Sequence, residues 1–341
     1  MKKMLALLLA LVMVLSLAAC ASSQPAAAST ETAETTETTE ESAEAPAESG
    51  KTYTVGVCQL VQHEALDAAT QGFIDALKEE LGDAVTVDVQ NASGDSVNCG
   101  TIVNGFVSKG VDLIMANATP ALTAAVSATA DIPILGTSIT AYGVALDIDD
   151  FNGTVGGNVS GTSDLADLQA QAQMILDWFP ETKTVGLLFC SAEPNSRYQI
   201  DEVRKALEAQ GVTCEEFAFT DSNDVSSVTQ KAADFSDVVY IPTDNTAASN
   251  TEAIANVLIP AGVPAICGEE GLCRGCGVAT LSISYYDLGV TTGKMAAKIL
   301  KGEADISTMP VEYTDATPKY NASVCEQLGI TPLDGYEAID G

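Results

Sequence analysis

The pattern of apolar and polar positions from residue 51 onward repeats one plan twice. Val55–Gln59 is a short apolar strand followed by an amphipathic helix that stops at Gly82, and Val185–Phe189 precedes a similar helix that stops at Gly211. Further apolar strands follow in each half, at Val85–Val89, Val111–Met115 and 131–136 in the first and at Val212–Phe217, Val238–Ile241 and 262–268 in the second. Strands that alternate with helices at this spacing form parallel sheets covered on both faces. The sequence therefore predicts an α/β fold with two Rossmann-like lobes.

The order of the elements also predicts how the lobes are joined. We assign residues 51–155 and 284–310 to lobe 1, and residues 156–283 and 311–341 to lobe 2, connected by a multi-strand hinge. In this arrangement the helix through Met295 and Leu300 returns to the first lobe, and Asn321–Leu328 forms a last helix. Tandem lobes of this kind bind ligands where the carboxyl ends of their strands face one another.

The stretch from Gly157 to Asp164 lies between the two halves and consists almost entirely of small hydrogen-bonding residues, including Ser160, Thr162 and Ser163. An amphipathic run starts at Leu165, so Ser163 and Asp164 are predicted to cap the helix that follows. A helix N-terminus with nearby hydroxyls suits a small anion such as a carboxylate. The alternative is a flexible crossover with an ordinary cap.

Other candidate ligand-binding residues are polar side chains placed just after predicted strands. They are Gln59, Asn91, Thr119 and Ser138 in the first half, and Glu193, Asn195, Ser196, Asp244, Asn245, Glu269 and Glu270 in the second. His63 follows the first strand and either approaches the ligand or caps a helix. A solvated loop or a helix cap is the alternative for each residue, but their recurrence in both halves predicts a polar pocket.

The N-terminal segment has the features of an export signal. Lys2 and Lys3 precede an apolar run and small residues, which predicts a signal peptide over residues 1–19. Leu17-Ala18-Ala19-Cys20 resembles a bacterial lipobox, so Cys20 is the expected lipid attachment site; cleavage of an ordinary signal nearby is the alternative. Residues 21–50 contain seven glutamates, no basic residue and no aromatic residue. Such a composition predicts a disordered tether.

Charge and motif content exclude several classes of function. Of the 47 acidic and 15 basic residues, 40 and 13 lie from residue 51 onward, which leaves no basic stripe for a nucleic acid. A structural zinc site needs four ligands, typically two cysteine pairs or cysteines with histidines, and His63 is the single histidine available to join Cys273 and Cys276. A disulfide between these two cysteines is the alternative. Gly161–Leu165 lacks the second glycine of a nucleophile elbow. The sequence therefore predicts no catalytic residue, metal or cofactor.

Several segments together resemble a known family. They are Gln59-(x3)-His63-Glu64-Ala65-Leu66-Asp67, Gly72-Phe73, Asn91-Ala92, Thr119-Pro120-Ala121, Gly157–Asp164, Glu193-Pro194-Asn195-Ser196, Pro242-Thr243-Asp244-Asn245, Gly268-Glu269-Glu270-Gly271 and Tyr285-Tyr286-Asp287-Leu288-Gly289. In this order they resemble ABC-transporter substrate-binding proteins of the tryptophan/tyrosine-uptake type, which have the type I periplasmic-binding-protein fold. The resemblance extends from about Thr54 to Leu328. It departs from the family after Thr137-Ser138 and at Cys273 and Cys276.

The resemblance implies a monomer that is anchored outside the cell by lipidated Cys20. It would capture a small amino acid of the aromatic type and deliver it to a membrane permease driven by a cytoplasmic ATPase. The turns at Thr119 and Ser160–Ser163 would hold the ligand carboxylate. An acid would pair with the ammonium group, the candidates being Asp164, Glu193, Asp244 and Glu270. Aromatic side chains that could stack on the ligand are Tyr142, Phe151, Tyr198 and Tyr285.

Two other functions remain open from the residues alone. An extracellular enzyme such as an amidase could use the carboxylate cluster, and a sensory module could present its liganded state to a receptor. An enzyme would turn its ligand over, whereas a binding protein would release it intact.

Overall fold

The alternating apolar segments form two parallel-dominated sheets in a computed structural model that describes residues 51–339. The predicted signal peptide over residues 1–19, the lipid site at Cys20 and the tether over residues 20–50 lie outside the described residues. Within the described part of the chain, no helix is both long enough and apolar enough to cross a bilayer.

Lobe 1 is built on a six-stranded parallel sheet. Its strands are β1 (Tyr53–Gln59), β2 (Val85–Asn91), β3 (Leu113–Asn117), β4 (Ile134–Ile139), β5 (Val159–Ser163) and β11 (Glu312–Tyr313), in the spatial order β11-β5-β4-β3-β1-β2. Its helices are α1 (Glu64–Leu81), α2 (Ser96–Lys109), α3 (Thr119–Ala128), α4 (Tyr142–Ala145) and α11 (Tyr285–Lys301). All five residues of β3 are buried, because apolar clusters cover both faces of the sheet.

Lobe 2 repeats this plan with a seven-stranded sheet. Its strands are β6 (Thr184–Cys190), β7 (Thr213–Phe219), β8 (Val238–Ile241), β9 (Ala265–Cys267), β10 (Ala279–Ser282), β12 (Thr317–Tyr320) and β13 (Glu337–Ala338), in the order β13-β12-β10-β9-β8-β6-β7. Its helices are α5 (Leu168–Trp178), α6 (Pro194–Glu208), α7 (Val225–Phe235), α8 (Asn245–Ala248), α9 (Thr251–Ala261), α10 (Glu270–Cys276) and α12 (Ala322–Leu328). Only β10 and β12 pair antiparallel. Short 3-10 turns occupy Gly82–Ala84 and Ile306–Thr308.

Three segments cross between the lobes. They follow β5, connect β10 to α11, and connect β11 to β12. The segments place β5 and β11 in the first sheet, where β5 pairs with β4 on one side and β11 on the other. The lobe boundary predicted at residue 156, and the assignment of residues 312–313 to lobe 2, therefore differ from the observed sheets.

The predicted helix cap at Ser163 and Asp164 is wrong. Residues 159–163 form a buried strand, and α5 begins at Leu168. The Asp167 side chain caps that helix by accepting from Gln169 N at 2.9 Å and Ala170 N at 3.1 Å. Pairing with two neighbouring strands overrides the weak strand propensity of a Gly/Ser/Thr segment, because strand preference depends mainly on context.

Helix α11 returns to lobe 1 and packs closely on α1. Gly72 of α1 faces the backbone of Tyr286, and Gly289 of α11 faces the backbone of Ala69, so that a Cβ at either glycine would collide with a carbonyl group. This close approach holds the N-terminal half of α1 against the start of α11, and both helices begin at the gap between the lobes.

Candidate ligand-binding site

A small cavity lies between the two lobes at the carboxyl ends of their strands. With the lobes closed, the space inside it that a water-sized molecule can occupy is about 10 Å³. Lobe 1 and the crossing segments contribute His63, Leu66, Ser138, Thr140, Asp164 and Tyr285, and lobe 2 contributes Asn195, Thr243, Asp244, Asn245, Ala248 and Glu269. The strand-end rule for α/β lobes thus places this cavity correctly.

Asp164 is the one lining acid with a carboxylate oxygen left free. It follows β5 directly, at the start of the first crossing segment, and is only 5% exposed. The hydroxyl of Tyr285 donates to Asp164 Oδ2 at 2.9 Å, whereas Oδ1 is buried without a hydrogen-bond partner. Burial raises the Asp164 pKa to about 6, although the hydrogen bond from Tyr285 acts in the opposite direction.

Two further lining side chains have a buried polar atom without a partner. Ser138 Oγ lies in lobe 1 and Asn195 Oδ1 in lobe 2. The orientation of the Asn195 amide is fixed, because its Nδ2 donates to Glu193 Oε2 at 3.3 Å and to the Thr243 carbonyl at 3.1 Å, and both of these groups are acceptors. Buried polar atoms rarely stay unpaired, so three around one cavity indicate a polar ligand.

Ser138 also has an unusual backbone conformation. Its φ is +56°, and it lies where the register between β4 and β5 shifts. A non-glycine residue in this region is strained, and such strain and strand irregularities concentrate at functional sites. The irregularity places the Ser138 side chain at the cavity.

Burial favours the neutral form of the other lining acids. It raises the Glu269 pKa to about 7. The Asp244 pKa is also raised, first by burial and second by the negative charge of Glu193. A cationic group placed among these acids would favour their charged form.

Glu193 and Asp244, however, already accept hydrogen bonds on both carboxylate oxygens. Glu193 accepts from the backbone and side chain of both Asn245 and Thr246, at 2.6 to 3.0 Å. Asp244 accepts from Ala247 N at 2.8 Å and from Cys190 N at 2.6 Å. Both carboxylates therefore hold the loops after β6 and β8 in place, whereas Asp164 has an oxygen with no partner at all.

Glu270, the remaining predicted acid, lies outside this cavity. It forms ion pairs with Arg274 at 2.8 Å and with Lys319 at 2.6 Å. Arg274 also pairs with Glu64 of lobe 1 at 3.1 Å. Near this rim, His63 Nε2 lies 3.2 Å from Asn245 Oδ1, and burial lowers the His63 pKa. These contacts across the gap show that the lobes are closed on one another.

Several predicted residues serve the fold instead of the cavity. Gln59 bonds within lobe 1, to Val61, Asp67 and Thr70. Asn91 is exposed and accepts from Ser93 N at 2.7 Å. Thr119 is buried at the start of α3 and Ser196 is buried beside Asn195, but neither lines the cavity.

The hydroxyls of the 157–164 stretch also bond internally. Ser160 donates to the carbonyl of Met309 at 3.0 Å, and Ser163 donates to that of Thr140 at 3.0 Å. Thr162 lies 3.1 Å from Thr137 Oγ1 and 2.9 Å from Thr292 Oγ1, in a buried hydroxyl cluster. The helix N-terminus on which the anion site was predicted does not form there, because the residues belong to a paired strand.

Among the predicted aromatic residues, only Tyr285 reaches the cavity. Tyr142 stacks on Phe151 with ring centroids 6.3 Å apart, and Tyr198 packs against the lobe 2 core. Cys273 and Cys276 are buried free thiols of α10, so the disulfide alternative is wrong in this structure.

The sequence reasoning missed four lining residues. Thr140 and Thr243 follow β4 and β8 and satisfy the strand-end rule that identified their neighbours. Leu66 and Ala248 lie in the first turn of α1 and at the end of α8, where helical spacing is typical of core residues. No local signal distinguished them from the core.

Comparison with known proteins agrees with this geometry. Residues 54–335 match the family model described as ABC transporter substrate binding protein. A tyrosine-binding protein of Clostridioides difficile is 33% identical over 276 residues, which cover 79% of each chain. The ABC domain from Streptococcus pneumonia in complex with L-Trp is 32% identical, with a TM-score of 0.80 over 85% of this chain and all of that one.

A second solved structure bears on the lobe arrangement. It is the ligand-free, open structure of a substrate-binding protein with adhesive properties from Clostridium difficile. That protein is 33% identical and covers 84% of this chain and 99% of its own, but the TM-score is 0.64. The sequence identity to this open structure is nearly the same as the identity to the tryptophan complex. The lower TM-score of the open structure therefore agrees with closed lobes in the present protein. The fold, the cavity and these matches show that the chain belongs to the ABC transporter substrate-binding proteins and has the type I periplasmic-binding-protein fold.

Proposed function

We propose that this chain binds a free amino acid with an aromatic side chain and supplies it to an ABC importer. The observation that carries the proposal is the set of three buried, unpartnered polar atoms at one cavity: Ser138 Oγ, Asp164 Oδ1 and Asn195 Oδ1. Two of these atoms can only accept hydrogen bonds and one can donate. A ligand with several N–H donors and an acceptor oxygen satisfies all three, and an amino-acid zwitterion has both.

The ammonium group is assigned to Asp164. Its Oδ1 is the free carboxylate oxygen, and Asn195 Oδ1 provides a second acceptor from the opposite lobe. A buried ammonium group requires such a partner, because an unpaired charge in this environment is very costly. Contact with both lobes also makes binding favour the closed arrangement.

The ligand carboxylate is assigned to Ser138 Oγ, the free donor among the three atoms. His63, which precedes α1 and lines the same cavity, gives that helix no side-chain cap. The first-turn N–H groups of an 18-residue helix add donors and a partial positive charge. Neither Thr119 nor the Ser160–Ser163 hydroxyls take part.

The lining of the cavity supports an aromatic amino acid as the ligand. With the lobes closed, the space that a water-sized molecule can occupy inside the cavity is about 10 Å³, so the lobes and the lining side chains move apart to admit an amino acid. Tyr285, the ring of His63 and the side chain of Leu66 provide the apolar and aromatic surface. The Streptococcus relative was solved with L-Trp and the Clostridioides relative is named for tyrosine, which supports an aromatic side chain in this chain as well.

In this role the protein binds and releases its ligand unchanged, acts as a monomer, and delivers the ligand to a membrane permease coupled to an ATPase. Export through the residue 1–19 signal and lipidation at Cys20 would hold it at the membrane surface. Replacing Cys20 with Ala should release the protein from the membrane fraction into the medium, as measured by immunoblotting of both fractions.

The binding proposal is tested with a protein of residues 49–341, which form one compact unit. Thermal unfolding is followed against each of the twenty amino acids, because a ligand that binds the native state raises the melting temperature by mass action. We expect a rise with L-tryptophan, L-tyrosine or L-phenylalanine. Mass spectrometry of the recovered ligand then separates binding from turnover. A screen with no rise for any amino acid would refute the ligand class, and a converted ligand would refute the binding-only role.

A further inference from the structure

The rim of the gap carries a charged contact that the ligand site does not use. Arg274 of α10 reaches across the gap, and its Nε lies 3.1 Å from both carboxylate oxygens of Glu64, the first residue of α1. The same guanidinium group donates to Glu270 Oε1 at 2.8 Å, and Lys319 pairs with Glu270 from the other side at 2.6 Å. We propose that the Glu64–Arg274 pair is a latch: it stabilises the closed lobes and so raises ligand affinity, without touching the ligand.

On the lobe 2 side, α10 is fixed before the lobes meet. Glu269 caps the helix by accepting from Gly271 N at 2.6 Å and from Leu272 N. Asn321 Nδ2 donates to the carbonyls of Cys273 and Arg274, at 2.9 and 2.8 Å. The base of the Arg274 side chain is therefore positioned by lobe 2 alone.

On the lobe 1 side, Glu64 is equally well placed. It belongs to α1, whose packing on α11 leaves no room even for a Cβ at Gly72 or Gly289. Two rigid helix ends thus meet when the lobes close, and the pair can form only in the closed arrangement. An interaction present in one of two states shifts the equilibrium toward that state by its own free energy.

The latch is separate from the ligand cavity. Neither Glu64 nor Arg274 lines the cavity that contains Ser138, Asp164 and Asn195. The two side chains are 53% and 33% exposed, which is typical of a rim contact. Exposed pairs of this kind contribute about 0.2–1 kcal/mol, which corresponds to about a 1.5- to 5-fold change in the closed-to-open ratio.

The first experiment measures affinity, and this part rests on the proposed function. Calorimetric titration of L-tyrosine and L-tryptophan compares the wild type with Glu64→Gln, Arg274→Gln and the double variant. Glu80→Gln is the matched control. Glu80 lies on α1, as Glu64 does, but its ion pair with Lys301 of α11 at 2.7 Å stays within lobe 1. We expect Glu64→Gln to bind about 1.5- to 5-fold more weakly and Glu80→Gln to bind like the wild type. The double variant should bind no more weakly than Arg274→Gln.

Salt and lobe separation give independent readouts. In 1 M NaCl the difference between Glu64→Gln and the wild type should shrink, because the screening length is then about 3 Å, close to the 3.1 Å separation of the pair. Without ligand, small-angle scattering should give a larger radius of gyration for Glu64→Gln than for Glu80→Gln.

The outcomes also separate the two proposals. If amino acids bind, but Glu64→Gln matches Glu80→Gln in affinity and in radius of gyration, the latch is refuted and the proposed function stands. If no amino acid binds, yet Glu64→Gln alone expands the ligand-free protein, the latch stands and the ligand class is wrong.

Discussion

Asp164→Asn is expected to change ligand binding and stability in opposite directions. The free Oδ1 of Asp164 is the proposed partner of the ligand ammonium group. The substitution keeps the size of the side chain and an oxygen that can accept from Tyr285, but it removes the charge. Removing one member of a buried, hydrogen-bonded charge pair costs about 2–5 kcal/mol of binding free energy. Affinity should therefore fall by about 30-fold or more.

The ligand-free protein should gain stability from the same change. The Asp164 pKa rises from 3.8 to about 6 on folding because of burial. A raised carboxyl pKa means that the folded state binds protons more tightly than the unfolded state. The resulting cost therefore grows from about pH 4 to pH 6 and stays constant above. Its size there is about 3 kcal/mol, at 1.36 kcal/mol for each tenfold change in proton affinity.

The assay combines calorimetric titration with L-tyrosine or L-tryptophan and urea unfolding without ligand, both at pH 7.5. Asp237→Asn is the control, because the backbone N–H groups of Lys183 and Thr184 donate to that acid and lower its pKa. The substitution removes a charge that the folded state stabilises, so this variant should lose stability and keep its affinity. The argument is refuted if Asp164→Asn binds as tightly as the wild type, or if it loses stability as Asp237→Asn does.

Three further outcomes test other parts of the site. Affinity for L-tyrosine, followed by titration calorimetry from pH 8 to pH 5, should fall below about pH 6, where Asp164 becomes protonated; a flat profile would exclude it as the ammonium partner. Ser138→Ala and Ser138→Gly should both weaken ligand binding about 5- to 20-fold, because both remove the hydroxyl. Only Ser138→Gly should raise the urea midpoint of unfolding, because glycine adopts the φ of +56° at this position without strain. Thr162→Val should lower the free energy of unfolding by about 1–3 kcal/mol, because the hydroxyls of Thr137 and Thr292 lose a hydrogen-bond partner. Its ligand affinity, measured by calorimetry, should stay within twofold of the wild type; a larger loss would show that Thr162 contacts the ligand.

The sequence by itself determined the two-lobe α/β fold and the edge of each sheet where the cavity lies. The short length of continuous apolar segments identifies strands such as β1 and β6. A strand that is buried on both faces has apolar residues at consecutive positions. The strand-end rule also selected His63, Asn195 and Asn245, which line the cavity. These predictions needed only local periodicity and the right-handed, parallel connection of successive strands.

The tertiary structure decided which of the polar strand-end residues are free for a ligand. Glu193, Asp164 and Asp244 look alike in sequence, since each acid follows or nearly follows a strand. Glu193 and Asp244 are occupied by backbone N–H groups from loops about 50 residues away, whereas Asp164 keeps one oxygen free. The role of Asp164 also depended on residues 159–163 pairing with two distant strands. Local pattern reports which face of an element is apolar, but the hydrogen-bond partners of a side chain are set by contacts that only folding brings together.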